Sequence, residues 1–398
     1  MRRRRTARAG VAAVVVVVVA LAGCGATEPE PVRQPRALEE GLPEVDRSGL
    51  RLPSSFEEQR VVDPGWETTS EYADGVFLGA REQNGVLEFT AVDVQGEVLW
   101  AAQRPVSCSG FTVTTGIDGR ALAILTDTET TSDALAGVTA TAYDLTTGHQ
   151  VWGPVHVPGP SQGPGAVFAA PPDGPMGDTG PRTALDPATG RISGAESDGA
   201  GERILGEYRG TLLVVDEDAL VARDSAGEHD LWRISLAEYG WTAASLGPSS
   251  SLSPGDGLAL IKTSGSTQAL IDLDKGTVLS DTALDAAVDV ASNTLVVLDD
   301  VGLHAYDAGH ERLWSSSVAP ETTIAALGGV FLYLREGGNV RVHNVLTGDV
   351  AQAYDPEGRG PITVPTQITS NGAAMLGDGR RHLLATIGNA PTTDRSSL

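Results

Sequence analysis

The sequence predicts an almost entirely β protein, built as a closed ring of small four-stranded antiparallel sheets. Three observations lead there. An apolar run ending in Asp, then a glycine and often a tryptophan, recurs in seven copies about 35 to 50 residues apart, the period of propeller blades. Runs of β-branched and aliphatic residues alternate with Asp, Asn and Gly turn clusters. Helical periodicity is nearly missing; Leu236 to Ala244 offers one turn.

The chain opens with a leader. Arg2 to Arg5 and Arg8 form a positive region, and Gly10 to Leu21 an apolar one containing Val14 to Val19. That layout reads as a secretory signal over residues 1–23, its apolar run being short for a membrane span, which takes about 20 residues. No Phe-Leu pair follows the arginines, which favours the general secretory route over the twin-arginine one. Leu21-Ala22-Gly23-Cys24 resembles the lipobox of bacterial lipoproteins. The resemblance implies cleavage before Cys24 and a diacylglycerol, with palmitate-type chains, on its sulfur. At least two acyl chains would hold the protein stably on the extracytoplasmic face of the cell membrane. An ordinary cleaved signal with an incidental cysteine, and an uncleaved anchor, are the other readings.

Residues 24–60 hold the lipidated cysteine and a Pro- and Glu-rich stretch, with Glu28-Pro29-Glu30-Pro31, Pro35, Pro43 and Pro53. With no sustained apolar period, it is expected to be a flexible spacer. Residues 61–388 carry the repeats. Residues 389–398, ending Thr392-Thr393-Asp394-Arg395-Ser396-Ser397-Leu398, are expected to be a disordered polar tail.

The clearest repeat is Thr141-Ala142-Tyr143-Asp144-Leu145-Thr146-Thr147-Gly148-His149-Gln150-Val151-Trp152. The others centre on Asp93, Asp186, Asp224, Asp272, Asp307 and Asn344. Each reads as strand, turn, strand. The Asp carboxylate accepts backbone N–H groups two residues on. Gly148, Gly190 and Gly348 supply the positive φ of a tight corner. The tryptophan falls on the next strand, its face toward the neighbouring sheet. Near Ile192, Leu279 and Val350 that docking position is small or aliphatic. Upstream hairpins turn at Asp216-Glu217-Asp218, Asp299-Asp300 and Glu336-Gly337-Gly338. Three strands per copy, with one more in the variable stretch, make a four-stranded blade.

Beyond the seventh copy, Ile362 to Ile368, Gly372 to Leu376 and His382 to Ile387 read as three further strands. Gln59 to Val62 can complete their sheet, which would close the ring and remove its free edges. The count is then eight blades, with seven as the alternative.

The motif Ala-x-Asp-x-x-Thr-Gly-x-x-x-Trp resembles the tryptophan-docking repeat of the PQQ-like β-propellers, over about residues 65 to 388. The strongest matches are Asp144-Gly148-Trp152, Asp224-Gly227-Trp232 and Asp307-Gly309-Trp314. That family includes quinoprotein alcohol dehydrogenases and an outer-membrane assembly lipoprotein, so the resemblance implies a fold and not an activity. In the enzymes it implies an adjacent cysteine pair, a catalytic aspartate and calcium ligands. This chain has no adjacent cysteines, and no particular residue matches the aspartate.

Charge and motif searches narrow the function further. The chain holds 52 acidic and 28 basic residues, a formal charge of −24. Five of the basic residues lie in the leader, so the remainder stands at −29. Such a surface repels nucleic acid and anionic headgroups. Cys108, with no charge or histidine beside it, reads as buried and not reactive. Gly159-Pro160-Ser161-Gln162-Gly163 matches G-x-S-x-G, but three prolines crowd it and no helix follows, so it reads as a loop. The histidines are scattered; His304 and His310 flank a turn and are expected to be exposed. Asp272-Leu273-Asp274-Lys275-Gly276 stops short of a calcium loop, and no phosphate-binding glycine loop is present.

The expectation is a monomeric, membrane-anchored, extracytoplasmic lipoprotein whose propeller binds an envelope protein as a scaffold, without catalysis, cofactor or metal. Cys24 is the one site residue. A small-ligand sensor or subunit of a membrane complex is the alternative, and a PQQ-dependent dehydrogenase the lesser one.

Overall fold

The computed structural model describes residues 31–38, 40–107, 109–128, 137–171, 180–196, 201–226, 229–249, 254–255 and 257–389. The leader, Cys24, Cys108, Gly227 and residues 390–398 lie outside these. The described chain is all-β: seven antiparallel sheets, four short 3-10 turns and no α-helix. Two of those turns, Leu236–Tyr239 and Ala243–Ser245, fall where the sequence offered a helical turn.

The sheets follow the chain as successive meanders. The first comprises Glu71–Ala73, Val76–Gln83, Val86–Asp93 and Val98–Pro105; the second Phe111–Thr115, Ala121–Thr128, Val138–Asp144 and Gln150–Val157. The third is three-stranded, from Val167–Ala169 to Ile192–Ala195, and the fourth runs from Arg203–Tyr208 to Asp230–Ser235. A seven-stranded sheet spans Gly247–Pro248 to Arg312–Ser316. Its long strand Thr277–Asp289 pairs with Thr267–Asp272 through one part and with Thr294–Asp299 through the rest, so two repeats share it. Read as two, this sheet makes the units eight; by hydrogen bonding alone the sheets are seven. Then come Thr322–Gly328, Phe331–Glu336 and Asn339–Asn344, and finally Val364–Ile368, Ala374–Gly377 and His382–Asn389.

The ring closes on itself. Gln59–Val62 pairs antiparallel with His382–Asn389, Val62 opposite Leu384. An apolar cluster fills each junction in turn: Phe89 with Leu125 and Tyr143, Ile124 with Phe168 and Leu185, Leu298 with Leu332, and Phe77 with Met375 and Leu384 back to the start. This apolar burial between sheets is the main force holding a propeller together.

The segment expected as a flexible spacer is docked from Val32 onward. Arg36–Ala37 adds a strand outside Val98–Pro105. The Val45 N–H donates to the Val61 carbonyl at 2.9 Å, and the Arg51 N–H to that of Pro361 at 2.9 Å. Leu52 and Phe56 are buried against Leu376 and Leu383. Single apolar anchors between prolines hold this segment by tertiary contact, which no local period announces.

Candidate functional site

The repeat motif builds the inter-sheet contact. Asp144 Oδ1 accepts the Thr147 N–H at 2.9 Å, and the Gly148 N–H closes the loop on the Asp144 carbonyl at 2.8 Å. The same five-residue closure joins Asp186 to Gly190, Asp272 to Gly276 and Asn344 to Gly348. A tryptophan from the preceding repeat lands on each of these corners. Trp100 donates its indole N–H to the Leu145 carbonyl at 2.8 Å. Trp152, Trp232 and Trp314 reach the Pro187, Leu273 and Val345 carbonyls at 2.6 Å each.

The residue before each tryptophan, Leu99, Val151, Leu231 or Leu313, sits at a register shift. The register also refines the gaps in the pattern. Gly194, opposite Ala184, and Ser280, opposite Leu270, hold the places where Trp152 faces Ala142. Ile192 and Val350 point outward and are exposed.

Three carboxyls on the first strands of their repeats tie separate units together. Glu71 accepts the Val113 N–H at 2.5 Å and the Thr112 hydroxyl at 3.2 Å. Glu207, 1 % exposed, accepts the Thr114 hydroxyl at 2.8 Å, the Ala166 N–H at 3.0 Å and the Gly210 N–H at 2.7 Å. Strand Phe111–Thr115 is thus gripped by carboxyls from two other sheets. Asp285 accepts the Ala286 N–H at 2.9 Å and faces the Ile324 N–H of the next unit. Burial pushes Glu71 and Glu207 up to about 7 and Asp285 up to about 6, against the lowering effect of these donors.

Sequence reasoning missed these acids. Their one signal is a lone carboxylate inside an apolar first strand, as in Ile204-Leu205-Gly206-Glu207-Tyr208. Glu207 commits both oxygens to backbone and hydroxyl donors, whereas the Glu71 bonds fall on Oε2 and the Asp285 bond to Ala286 on Oδ1. Among the described residues no group of three or more His, Cys, Asp or Glu is arranged to hold a metal.

The sequence-derived candidates disperse. Cys24 and Cys108 lie outside the described residues. Ser161 bridges to Phe168 in a loop leading to strand Val167–Ala169, with no helix behind it. Asp272 spends its oxygens on the N–H groups of Asp274 and Lys275 and on the Lys275 ammonium at 2.9 Å. His310 is exposed, as expected, but His304 is not. Its side chain is 13 % exposed and its Nε2 lies 3.2 Å from Asp299, because the hairpin folds it back over that turn.

The remaining surface of interest is the outer edge of the ring. At Val98–Pro105 that edge is closed by Arg36–Ala37. At Asn339, Val340 and Arg341 no strand covers it among the described residues. The chain returns only as far as the Val350 bridge to His343 and the Ala351 N–H bond to the Val342 carbonyl, then leaves toward Pro53 and Ser54. A notch of about 370 Å³ remains between Asn339–Val342 and Val350–Tyr354. Val350 on its rim is exposed, as is Leu346 in the turn after Asn344.

No known family model matches this sequence, and no curated protein does. Among solved structures the chain is similar to BamB from Moraxella catarrhalis, at 14% identity and a TM-score of 0.45, over 81% of this chain and 95% of that one. It is also similar to a structure described as the eukaryotic initiation factor, at 10% identity and a TM-score of 0.36, over 78% of this chain and 96% of that one. Neither likeness assigns an activity.

Proposed function

We propose that this chain is an extracytoplasmic lipoprotein, tethered to the cell membrane through a diacylated Cys24. Its propeller is a monomeric, non-catalytic scaffold that binds another envelope protein through the outer edge of the ring. The observation that carries the reading is the contrast between two edges of one molecule: Val98–Pro105 is closed by an added strand, whereas among the described residues Asn339, Val340 and Arg341 have no outer strand, beside exposed Val350. Proteins ordinarily shield such edges, and an open one beside apolar side chains suits recognition. The engaged carboxyls at Glu71, Glu207 and Asp285 support a structural centre, and the acidic composition supports a protein partner over nucleic acid.

The test has two arms. Cys24→Ser should move the protein from the membrane fraction to the soluble one; unchanged partitioning refutes the tether. With the anchor kept, deleting residues 61–388 should abolish co-purification of an envelope protein that the full chain retrieves. A full chain that retrieves nothing specific refutes the scaffold.

A further inference from the structure

We propose that the notch beside Asn339–Asn344 is a strand-addition site for an extended peptide segment carrying a basic side chain. This rests on the scaffold reading and names its site and partner class.

The backbone sets the first requirement. In an antiparallel pair, alternate residues aim their N–H and C=O groups to opposite sides. The Val342 carbonyl points outward to Ala351, so Val340, two residues back, points the same way. Among the described residues no strand pairs with the outer side of Val340, because the returning chain has left by Ala351. Val342 and Asn344 are already paired with Ala351 and Asp349, so Val340 is the outward residue left for an incoming extended segment. The same molecule shows the mode in use: Arg36–Ala37 lies on Val98–Pro105 as an added strand, and the Leu38 N–H bonds to the Leu99 carbonyl.

A buried carboxylate sets the second. Glu336 lines the notch with its side chain only 9 % exposed. One oxygen lies 3.0 Å from Arg341 Nε; the other is buried and has no partner among the described residues. An unmet buried acceptor is costly, more so when charged. A ligand group that reaches it must donate, and a Lys or Arg side chain does so with charge assistance. Arg341 already serves the first oxygen, so the ligand's cation meets the vacant one. The acidic balance of the chain, 52 carboxylates against 28 basic residues, attracts a cationic segment from a distance.

The probe is a fluorescein-labelled heptapeptide, acetyl-Thr-Val-Thr-Arg-Thr-Val-Thr-amide, followed by anisotropy against the full chain. A Glu-for-Arg peptide and a peptide N-methylated at alternate residues are the controls. The Arg peptide should bind at least about tenfold more tightly than the Glu peptide, and the N-methylated one should not bind. Glu336→Gln should shrink the preference to about twofold or less. Val340→Pro removes an outward N–H while sparing the inner ladder, and should abolish binding with a cooperative thermal melt retained. Equal binding of the Arg and Glu peptides, no binding of either, or full binding to Val340→Pro would overturn the site. If Glu336→Gln and Val340→Pro still co-purify the envelope partner, the notch is wrong and the scaffold stands. If the peptide binds as described but the parent chain retrieves no partner, the scaffold is wrong and the site stands.

Discussion

The indole of Trp152 covers Gly190, one repeat further along the chain. A Cβ on Gly190 would meet the Trp152 ring carbons at 2.6 Å, and its φ is +73°. The same contact recurs between Trp232 and Gly276 at 2.6 Å and between Trp314 and Gly348 at 2.7 Å. Glycine is therefore required twice at these corners, once for the backbone and once for the ring above it.

Trp152→Ala should destabilise the protein by about 3–5 kcal/mol through lost burial and an unfilled cavity. Trp152→Phe keeps most of the apolar contact but leaves the Pro187 carbonyl without its donor, for about 1–3 kcal/mol. Urea denaturation followed by intrinsic fluorescence would order the two; equal stability of parent and Ala variant contradicts the docking role.

Gly190→Ala should cost clearly more than Gly337→Ala. Both positions have positive φ, but nothing lies within 4 Å of a Cβ at Gly337, so only the backbone term of about 1–2 kcal/mol applies there. In a Trp152→Ala background the Gly190→Ala penalty should fall toward that smaller value, a coupling that a double-mutant cycle measures.

Glu207 predicts how stability depends on pH. Burial holds its carboxyl at about 7 in the folded protein against 4.5 ordinarily. The folded state therefore keeps its proton where the unfolded state has lost it, and stability falls as pH rises from about 4.5 through 7. The loss is on the order of 3 kcal/mol. Glu207→Gln has no such proton, so between pH 5 and 8 its stability relative to the parent should improve by about that amount. Parallel pH profiles from thermal melts would contradict the assignment.

Closure of the ring predicts a graded response to N-terminal truncation. Removing residues through 40 takes away the strand Arg36–Ala37 and should lower the melting temperature by a few degrees. Extending the cut through Val62 removes Val61 and Val62, both fully buried, and frees the edge of His382–Asn389. That form should lose its cooperative transition and self-associate, as open sheet edges do. Calorimetry with size-exclusion chromatography reads both; two truncations of equal stability would mean that Gln59–Val62 does not lock the ring.

Much of the docking pattern was already written in the spacing. Wherever Asp or Asn stands four residues before glycine, at Asp144, Asp186, Asp272 and Asn344, the preceding repeat carries a tryptophan. Where the spacing is shorter, at Asp224 and Asp307, it does not. At Asp307 the structure shows why: the turn closes one residue earlier, on the His310 N–H at 2.9 Å, and His310 takes the positive φ. The first corner, Asp93 to Gly96, is met instead by the Thr386 methyl of the last strand, 2.9 Å from a Cβ on Gly96.

By itself the sequence determined the all-β class, the repeat corners and the strand Gln59–Val62 that joins the two ends. Those features are local: a turn needs its Asp and Gly within a few residues, and a strand its alternating side chains. Only the tertiary structure decided that residues 32–38 and 40–60 lie against the ring, that Glu207 reaches strand Phe111–Thr115 across an intervening sheet, and that the returning chain leaves the edge beyond Val342. Each depends on groups far apart in the chain, whose meeting is set by how the sheets curl and close and not by the residues beside them.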